Sequence, residues 1–217
     1  MREFNLLANY PRFKRPIAER EAAVLLQREV AKQFGQEYFD GDRTQGYGGY
    51  RYDGRWIPIA QRAALEYGLL PGQRVLDIGC AKGFLLHDLR QVVPGLQVCG
   101  LDISLYAIDH AMADVKPYLI QGSANRLPFR DHVFDLVISI NAIHNLELPA
   151  CRAAIGEMER VGRGAKYLQV DSWLTDTQRQ NFERWQLTAL TYFDPNGWRR
   201  LFEETSYRGD YYWTLTE

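Results

Sequence analysis

Cysteine is scarce in this sequence, and long apolar runs are missing from it. The three cysteines, Cys80, Cys99 and Cys151, are scattered in a pattern that matches no metal site. They are expected to be small core residues in a reducing compartment, and no metal ion is predicted. No stretch approaches the ~18 apolar residues that a membrane span needs, and the N-terminus has no apolar signal region. We therefore expect a cytoplasmic protein with no membrane partner.

Excess charge is missing as well. The chain has 26 basic and 27 acidic residues, a formal net charge of −1. Proteins that bind nucleic acid usually present a basic face, so this balance argues against a nucleic-acid partner while leaving room for a local basic patch. At 217 residues the chain is expected to form one domain with a small appendage, as a monomer or a homodimer.

What the sequence does contain is a turn built for a ligand. Residues 74–78 form an apolar run that predicts a buried strand, and a turn containing Gly79 and Gly83 follows it before a helix opens. Small residues allow close approach of a ligand, and a helix N-terminus offers free N–H groups. A second apolar run, 96–101, ends at Asp102, an acid that can accept hydrogen bonds from ribose hydroxyls. These features predict a nucleoside-containing cofactor at the carboxyl ends of parallel strands.

The glycine spacing narrows the choice of cofactor. A dinucleotide fingerprint needs G-x-G-x-x-G, whereas this turn has only Gly79 and Gly83, with Ala81 between them. The sequence VLDIGCAKG, which begins at Val75, resembles motif I of the class I S-adenosylmethionine-dependent methyltransferases, usually (V/L)LD(I/V)GCGxG. Ala81 stands where the middle glycine is usual, which is tolerated unless that position needs a positive φ.

Three further segments resemble the same family, in its order and spacing, between about residue 58 and the end. GLDIS at 100–104 resembles the second-strand motif, and FDLVISIN at 134–141 resembles the fourth strand and its tip. QGSANRLPF at 121–129 resembles the G-D-A-x-x-L-P-F segment, but Ser123 replaces the acid that usually contacts the adenine amino group. That contact is therefore weakened or passes to the backbone of Ala124. The resemblance implies S-adenosylmethionine as cofactor, S-adenosylhomocysteine as product, and these cofactor-binding residues: Asp77, Gly79, Ala81, Gly83, Asp102, Ile103, Ser123, Ala124 and Asn141.

The order of predicted elements gives the fold class. Strands and helices alternate with short loops from residue 73 onward, which predicts a parallel sheet with right-handed crossovers. A short strand near 189–193 and a last strand from Asp210 to Thr216 flank a late helix, which resembles the antiparallel ending of the methyltransferase fold. We predict an α/β, Rossmann-like, seven-stranded sheet, mostly parallel with an antiparallel last strand, and helices on both faces. Residues 1–57, with a helix expected at 19–34, would form an N-terminal helical and loop cap, and 58–217 the methyltransferase core.

Two residues at strand tips are candidates for catalysis. Methyl transfer is an in-line displacement, for which the protein aligns the reactants, excludes water and in some cases removes a proton. His144 follows the fourth strand, and an imidazole titrates near pH 6.5, so it is the preferred base; a structural histidine is the alternative. Asp171 ends the fifth strand, as a second base, an acceptor-binding group or a loop cap. A carboxylate acceptor would need no base, because carboxylates are ionised at neutral pH.

The segment 38–56 is unusual, with six aromatic residues, five glycines and three arginines, among them Arg43. Aromatic rings, flexible glycines and guanidinium groups make an adaptable binding wall, and arginine grips carboxylate or phosphate. We predict a lid over a small anionic, carboxylate or sugar-like acceptor; the alternative is a loop that packs on the sheet edge. The predicted substrate-binding residues are Tyr47, Tyr50, Arg51, Tyr52, Arg55 and Trp56, together with His144.

Two other functions remain open on sequence grounds. A nicotinamide-dependent oxidoreductase is disfavoured by the missing glycines and by the lack of a Tyr-x-x-x-Lys pair. A non-catalytic module that binds S-adenosylmethionine is suggested by the departures at Ala81 and Ser123. The fourth strand lacks the N-P-P-(F/Y) tip of amino-methylating nucleic-acid enzymes, which favours a small-molecule methyltransferase.

Overall fold

A parallel sheet forms the centre of the computed structural model, which describes residues 1–11, 15, 17–21 and 24–217. Within these ranges the sheet has seven strands in the spatial order β1-β7-β6-β5-β2-β3-β4, and every neighbouring pair is parallel. The predicted α/β, Rossmann-like, seven-stranded sheet is thereby confirmed. Its strands are β1 (Arg2–Glu3), β2 (Arg74–Ile78), β3 (Gln97–Asp102), β4 (Leu119–Gln121), β5 (Phe134–Ile140), β6 (Gly162–Ser172) and β7 (Asp210–Leu215).

Helices cover both faces of the sheet. Several begin at a side-chain cap: the Ser104, Thr175 and Asp194 side chains each accept a hydrogen bond from a backbone N–H three residues on. The helices are α1 (Ile17–Glu21), α2 (Val24–Ala31), α3 (Gln36–Asp40), α4 (Ile57–Glu66), α5 (Phe84–Val92), α6 (Leu105–Asp109), α7 (Leu148–Val161), α8 (Asp176–Trp185) and α9 (Pro195–Glu204). Within the single helix predicted at 19–34, the described residues are helical in α1 and α2, and residues 22–23 lie outside the described residues.

Two apolar clusters hold these layers together, one on each face. On one face Ile155 of α7 and Trp198 of α9 pack on the sheet; on the other, Ile59 of α4 and Leu86 of α5 do so. All four side chains are fully buried or nearly so. Because apolar area removed from water stabilises the fold by about 25 cal/mol per Å², the two clusters hold the helices firmly against the two faces of the sheet. None of the helices in the described ranges has the length and apolar character that crossing a bilayer demands.

The prediction of an antiparallel last strand is wrong. β7 runs parallel to β6, with Tyr167 opposite Asp210 and Ser172 opposite Leu215. Residues 189–193 form bends and irregular backbone rather than the predicted strand. The strand that would have preceded β7 in the chain and formed a hairpin with it is therefore missing from this described segment. The chain instead returns across the sheet through α9, and a helical crossover brings the next strand in parallel. The seventh strand is β1, at the edge beside β7.

Candidate functional site

The carboxyl ends of the central strands open into one cleft of about 1110 Å³, here called the strand-end cleft. Ligands of open α/β sheets bind at this edge, and a pocket for one small ligand typically measures roughly 300–1,000 Å³. The cleft therefore has room for a cofactor together with an acceptor. Six of the predicted residues at strand tips line it: Asp77, Gly79, Ala81, Asn141, His144 and Asp171.

The motif I turn after β2 has a left-handed backbone at three positions. The φ angles of Gly79, Ala81 and Gly83 are 81°, 49° and 74°. A Cβ atom on Gly79 would lie 2.2 Å from the Cβ of Ala142, so only glycine fits there. Ala81 also needs a positive φ, which costs an L-residue roughly 1–2 kcal/mol, and its N–H donates to Asp102 Oδ2 at 2.7 Å. The turn is thus held to the end of β3 at a cost in backbone strain.

Asp102, at the end of β3, is fixed by backbone donors. Its Oδ1 accepts a hydrogen bond from the Ser104 N–H at 2.8 Å, and Oδ2 accepts the bond from Ala81. Burial raises the pKa of this carboxyl, while the backbone N–H groups oppose that rise. A carboxylate offers about four acceptor positions, so Asp102 can still receive hydroxyl groups from a ligand.

Asp77, on β2, is buried beside Asp102 without a donor of its own. Burial raises the pKa of Asp77 to about 7, and the neighbouring charge of Asp102 contributes. Among the described residues, none donates a hydrogen bond to its side chain. A cationic group of a ligand would favour the ionised form, so Asp77 is suited to receive positive charge within the cleft.

His144 and Asp171 form a pair at the ends of β5 and β6. The His144 Nε2 lies 3.3 Å from Asp171 Oδ2, and Nδ1 accepts a hydrogen bond from the Asp171 N–H at 3.3 Å. These partners assign the ring proton to Nε2, and burial lowers the imidazole pKa although Asp171 opposes the shift. Both ring nitrogens are thus engaged, which favours Asp171, the more exposed partner, as the group that takes a proton.

A chain of buried hydrogen bonds orients Asn141, and sequence reasoning missed most of its members. The Tyr167 hydroxyl donates to Gln169 Oε1 at 2.7 Å, and Gln169 Nε2 donates to Thr214 Oγ1 at 2.8 Å. Thr214 then donates to Asn141 Oδ1, also at 2.8 Å, which leaves the Asn141 amide nitrogen to donate. The signal in the sequence was Gln169, a polar residue within the apolar run of β6.

The lid segment (residues 38–56) is docked on the motif I turn by a partly buried ion pair that sequence reasoning also missed. Lys82 Nζ lies 2.6 Å from Asp40 Oδ2 and donates to the Tyr50 carbonyl at 3.0 Å. Asp40 also accepts from the Tyr106 hydroxyl at 2.8 Å, and the Tyr50 ring stacks on Phe84 with centroids 4.7 Å apart. The segment therefore packs on the turn and also contributes residues to the wall of the cleft.

The structure brings most of the predicted acceptor-binding residues together, but not all of them. Tyr52 lies outside the cleft, where its hydroxyl donates to Asp88 of α5 at 2.6 Å. Arg55 lines the cleft but forms an ion pair with Asp53, its Nε lying 2.7 Å from Oδ1. The other predicted members that line the cleft are Tyr47, Tyr50, Arg51 and Trp56.

Some predicted cofactor-binding residues surround the cleft without lining it. Gly83 closes the motif I turn, Asp102 is buried at the end of β3, and Ile103 follows β3 with half of its surface exposed. Ser123 and Ala124 lie in the loop after β4, where Ala124 packs against the apolar cluster on the α7 face. Their contacts with a cofactor stay predictions.

Comparison with known proteins identifies the middle of the chain. Residues 75–164 match the family model described as "Methyltransferase domain". The chain is 29% identical to sterol 24-C-methyltransferase erg6 of Schizosaccharomyces pombe over 118 residues, 51% of this chain and 30% of that protein. It is 32% identical to probable tRNA methyltransferase 9B of Homo sapiens over 146 residues, 64% of this chain and 29% of that protein. The chain thus spans less than a third of the length of either relative.

Among solved structures, the fold is similar to a methyltransferase of Haloferax volcanii in complex with the Trm112 methyltransferase activator. The TM-score is 0.54 at 22% identity, covering 67% of this chain and 65% of that one. At this identity the likeness concerns the fold alone.

Proposed function

This chain carries a class I, S-adenosylmethionine-dependent methyltransferase domain, and on that premise we propose that it transfers a methyl group to a small anionic acceptor. One observation carries the proposal: a single cleft holds Asp77 beside the motif I turn and Asp171 beside His144. The first carboxylate suits a cationic cofactor, and the second suits an acceptor that loses a proton.

The residues present fit S-adenosylmethionine. Asp102 would hold the ribose hydroxyls, since its carboxylate is fixed by two backbone donors and retains free acceptor positions. Asp77 would face the positively charged methionine end, because its raised pKa would fall beside a cation. When bound, this cofactor supplies an electrophilic methyl group on a sulfonium. The protein's own contribution is alignment, exclusion of water and handling of the acceptor proton.

Asp171 is the proposed proton acceptor, and His144 is its positioning partner. The Nε2–H of His144 faces one carboxylate oxygen of Asp171, while the Asp171 N–H holds Nδ1. This arrangement fixes the carboxylate at the end of β6, where it lines the cleft. A hydroxyl or amine acceptor would transfer its proton to Asp171; a carboxylate acceptor would not require that step.

The lid segment supports a small acceptor. Tyr47, Tyr50 and Trp56 line the cleft, and the Lys82–Asp40 ion pair holds the segment against the motif I turn. The relatives carry names with acceptors as different as sterols and tRNA, so the acceptor class rests on this chain's own residues. The net charge of −1 adds support for a small molecule over a nucleic acid.

The alternatives receive less support. The match to a methyltransferase model over 75–164 speaks against a nicotinamide-dependent oxidoreductase. The His144–Asp171 pair in the cleft favours an enzyme over a module that only binds the cofactor.

The test is calorimetric titration with S-adenosylhomocysteine. We expect micromolar binding by the intact chain and a loss of about tenfold or more in Asp102→Asn, because ribose hydrogen bonds to a charged acceptor are worth about 1.5–3 kcal/mol. Asp109→Asn is the matched control, because Asp109 is an exposed acid at the end of α6 and does not line the cleft. Equal affinities in Asp102→Asn and the intact chain would overturn the assignment of the ribose site. No binding by the intact chain, together with binding of a nicotinamide dinucleotide, would overturn the proposed cofactor.

A further inference from the structure

Three arginines converge on one tryptophan at the side of the strand-end cleft. The guanidinium carbons of Arg20, Arg43 and Arg15 lie 3.7, 5.2 and 5.8 Å from the centroid of the Trp185 ring. They come from distant parts of the chain: Arg20 from α1, Arg43 from the lid segment, Arg15 from before α1, and Trp185 from the last residue of α8. All four residues line the cleft.

These three cations, the arginine cluster, form no close ion pair among the described residues, although the charges of Asp171 and Glu217 act on Arg15 from further away. Within the described ranges, no carboxylate oxygen lies within 4 Å of any of the three guanidinium groups, whereas Arg55 in the same cleft is paired with Asp53. Burial, together with the neighbouring charge of Arg43, lowers the pKa of Arg20 to about 10. Burial also lowers the pKa of Arg43, with a contribution from Arg15, and it lowers the pKa of Arg15, where the charges of Asp171 and Glu217 oppose the shift. Like charges this close repel one another, and an anion among them would relieve the repulsion.

Arg20 is the brace of the cluster. Its Nη atoms donate to the backbone carbonyls of Trp185, Arg43 and Gly46 at 2.5–3.2 Å, which ties α8 to the lid segment. The residue is only 6% exposed, and its buried Nε has no hydrogen-bond partner among the described residues. A buried, unpartnered N–H on a charged group is costly unless a ligand completes it.

Arg15 and Arg43 each have side-chain N–H groups that form no hydrogen bond among the described residues. Arg15 uses only Nη1, which donates to the Leu215 carbonyl and to the Thr216 hydroxyl. Arg43 also uses only Nη1, which donates to the carbonyls of Gly46 and Tyr47. In the part of the chain that the structure describes, the Nε and Nη2 atoms of both side chains make no hydrogen bond. Two planar guanidinium forks therefore remain beside one indole ring.

We infer that the arginine cluster binds a phosphate group, so that the acceptor is a phosphorylated small molecule; this rests on the proposed function and narrows its acceptor class. A phosphate monoester carries a charge of about −1.5 to −2 at neutral pH and three strong acceptor oxygens. That matches several guanidinium groups better than a single carboxylate does, and arginine forks bind phosphate in a bidentate manner. Arg15 donates to the Leu215 carbonyl, and Leu215 lies opposite Ser172, the residue after Asp171 on β6, so the phosphate and the proton acceptor share one end of the cleft.

The fluorescence of Trp185 reports on binding at the arginine cluster, because this ring lies beside all three guanidinium groups. The full chain, with and without saturating S-adenosylhomocysteine, is titrated with inorganic phosphate and with acetate at constant ionic strength, and tryptophan emission is recorded. The Trp185→Phe variant identifies the part of the signal that belongs to this ring. We expect phosphate to change that part at lower concentration than acetate, and affinity to fall about tenfold in Arg15→Gln and in Arg43→Gln. Arg152→Gln should bind phosphate as the intact chain does, because Arg152 pairs with Glu204 outside the cleft.

Each outcome decides the inference. Phosphate affinity that is unchanged in both arginine variants, or no preference for phosphate over acetate, overturns it. Binding of a single-stranded oligonucleotide without binding of phosphate also overturns it, in favour of a nucleic-acid substrate. Arg20→Gln does not serve as a test, because Arg20 holds three backbone carbonyls and its loss would disturb the packing of the lid segment on α8. Calorimetry with S-adenosylhomocysteine on the same samples separates the two proposals: phosphate binding without cofactor binding refutes the methyltransferase proposal and keeps the anion site, and the reverse refutes the anion site alone.

Discussion

At the scale of single residues, Asp77 shows how a binding position can work against stability. Its carboxyl is buried next to Asp102, and burial raises its pKa to about 7. A group whose folded pKa lies above its unfolded value opposes folding wherever the unfolded state would be ionised. The opposition is largest above pH 7 and disappears as pH falls below about 4, where both states are protonated.

Asp77→Asn should therefore stabilise the fold and weaken cofactor binding. At pH 8 we expect the free energy of unfolding to rise by a few kcal/mol at most, because one pKa unit corresponds to about 1.4 kcal/mol. At pH 4 the gain should vanish. Urea denaturation at both pH values measures it, and calorimetry with S-adenosylhomocysteine should show a weaker Kd at pH 8. Equal stability of variant and parent at pH 8 would contradict the account, and Asp109→Asn is the exposed control.

The His144–Asp171 pair makes a prediction about protonation. Burial lowers the pKa of His144 below its usual 6.5, while Asp171 partly restores it. Asp171→Asn should lower the histidine pKa further, and NMR of the imidazole nitrogens should find Nε2 protonated in the parent.

The same shift fixes the sign of its effect on stability. Because the pKa of His144 is lowered in the folded state, the unfolded state binds the proton more readily. Stability is therefore unaffected by this group above pH 6.5, and it decreases as pH falls below 6.5. A histidine pKa that rises in Asp171→Asn would contradict the pairing seen at 3.3 Å.

At the scale of elements, the lid segment depends on the motif I turn for its position. Lys82 Nζ reaches Asp40 and the Tyr50 carbonyl, and its side chain is almost fully buried. Asp40 is partly exposed, so the pair is screened to some extent by water.

Lys82→Met should release the lid segment from the turn. We expect a loss of about 1–2 kcal/mol in stability, because the partly buried Asp40 carboxylate and the Tyr50 carbonyl lose their charged donor. Proteolysis within residues 38–56 should become faster, and saturating S-adenosylhomocysteine should protect the segment less than in the parent.

Lys116→Met provides the comparison, since Lys116 is exposed and its contact with Asp109 lies away from the lid segment. The docking role is refuted if the two lysine variants are cleaved within 38–56 at the same rate.

The direction of β7 is also decided at the level of elements. The residues at 189–193 read as a short strand, yet they lie next to the His144 turn, where the Leu190 and Thr191 N–H groups donate to the His144 carbonyl at 3.0 Å. Those backbone donors are therefore used on a loop rather than on a sheet neighbour. Without that strand, α9 becomes the crossover and β7 enters parallel to β6.

At the scale of the whole molecule, the near-zero net charge conceals a strongly uneven distribution. The arginine cluster gathers three cations at one side of the cleft, while Asp77 and Asp102 gather two buried acids at another. Neither group is visible in a charge count, because both depend on residues that are far apart in the chain. The N-terminal segment also belongs to the sheet, through the edge strand β1. There Arg2 Nη2 lies 2.7 Å from Glu66 Oε1 and 2.6 Å from Asp210 Oδ2. The boundary placed at residue 57 stays a prediction, and it divides segments that share one sheet.

The sequence by itself determined the parts of this protein whose cause is local. The apolar run 74–78, the glycines that follow it and the acid at 102 place a strand, a turn and a carboxylate within 30 residues. Alternating strands and helices then require a parallel sheet whose carboxyl ends share one edge. That logic was sufficient to predict a parallel α/β sheet and to place His144 and Asp171 at the cleft, while the methyltransferase fold was implied by the resemblance of motif I and three further segments to that family.

Only the tertiary structure decided what depends on contacts between distant segments. It put the N-terminal β1 into the sheet, reversed the expected direction of β7, and joined Lys82 to Asp40 across 42 positions. It also gathered Arg15, Arg20 and Arg43 around Trp185, which lies more than 140 positions further along. The physical reason is that packing and charge act through space, whereas periodicity and turn chemistry act along the chain.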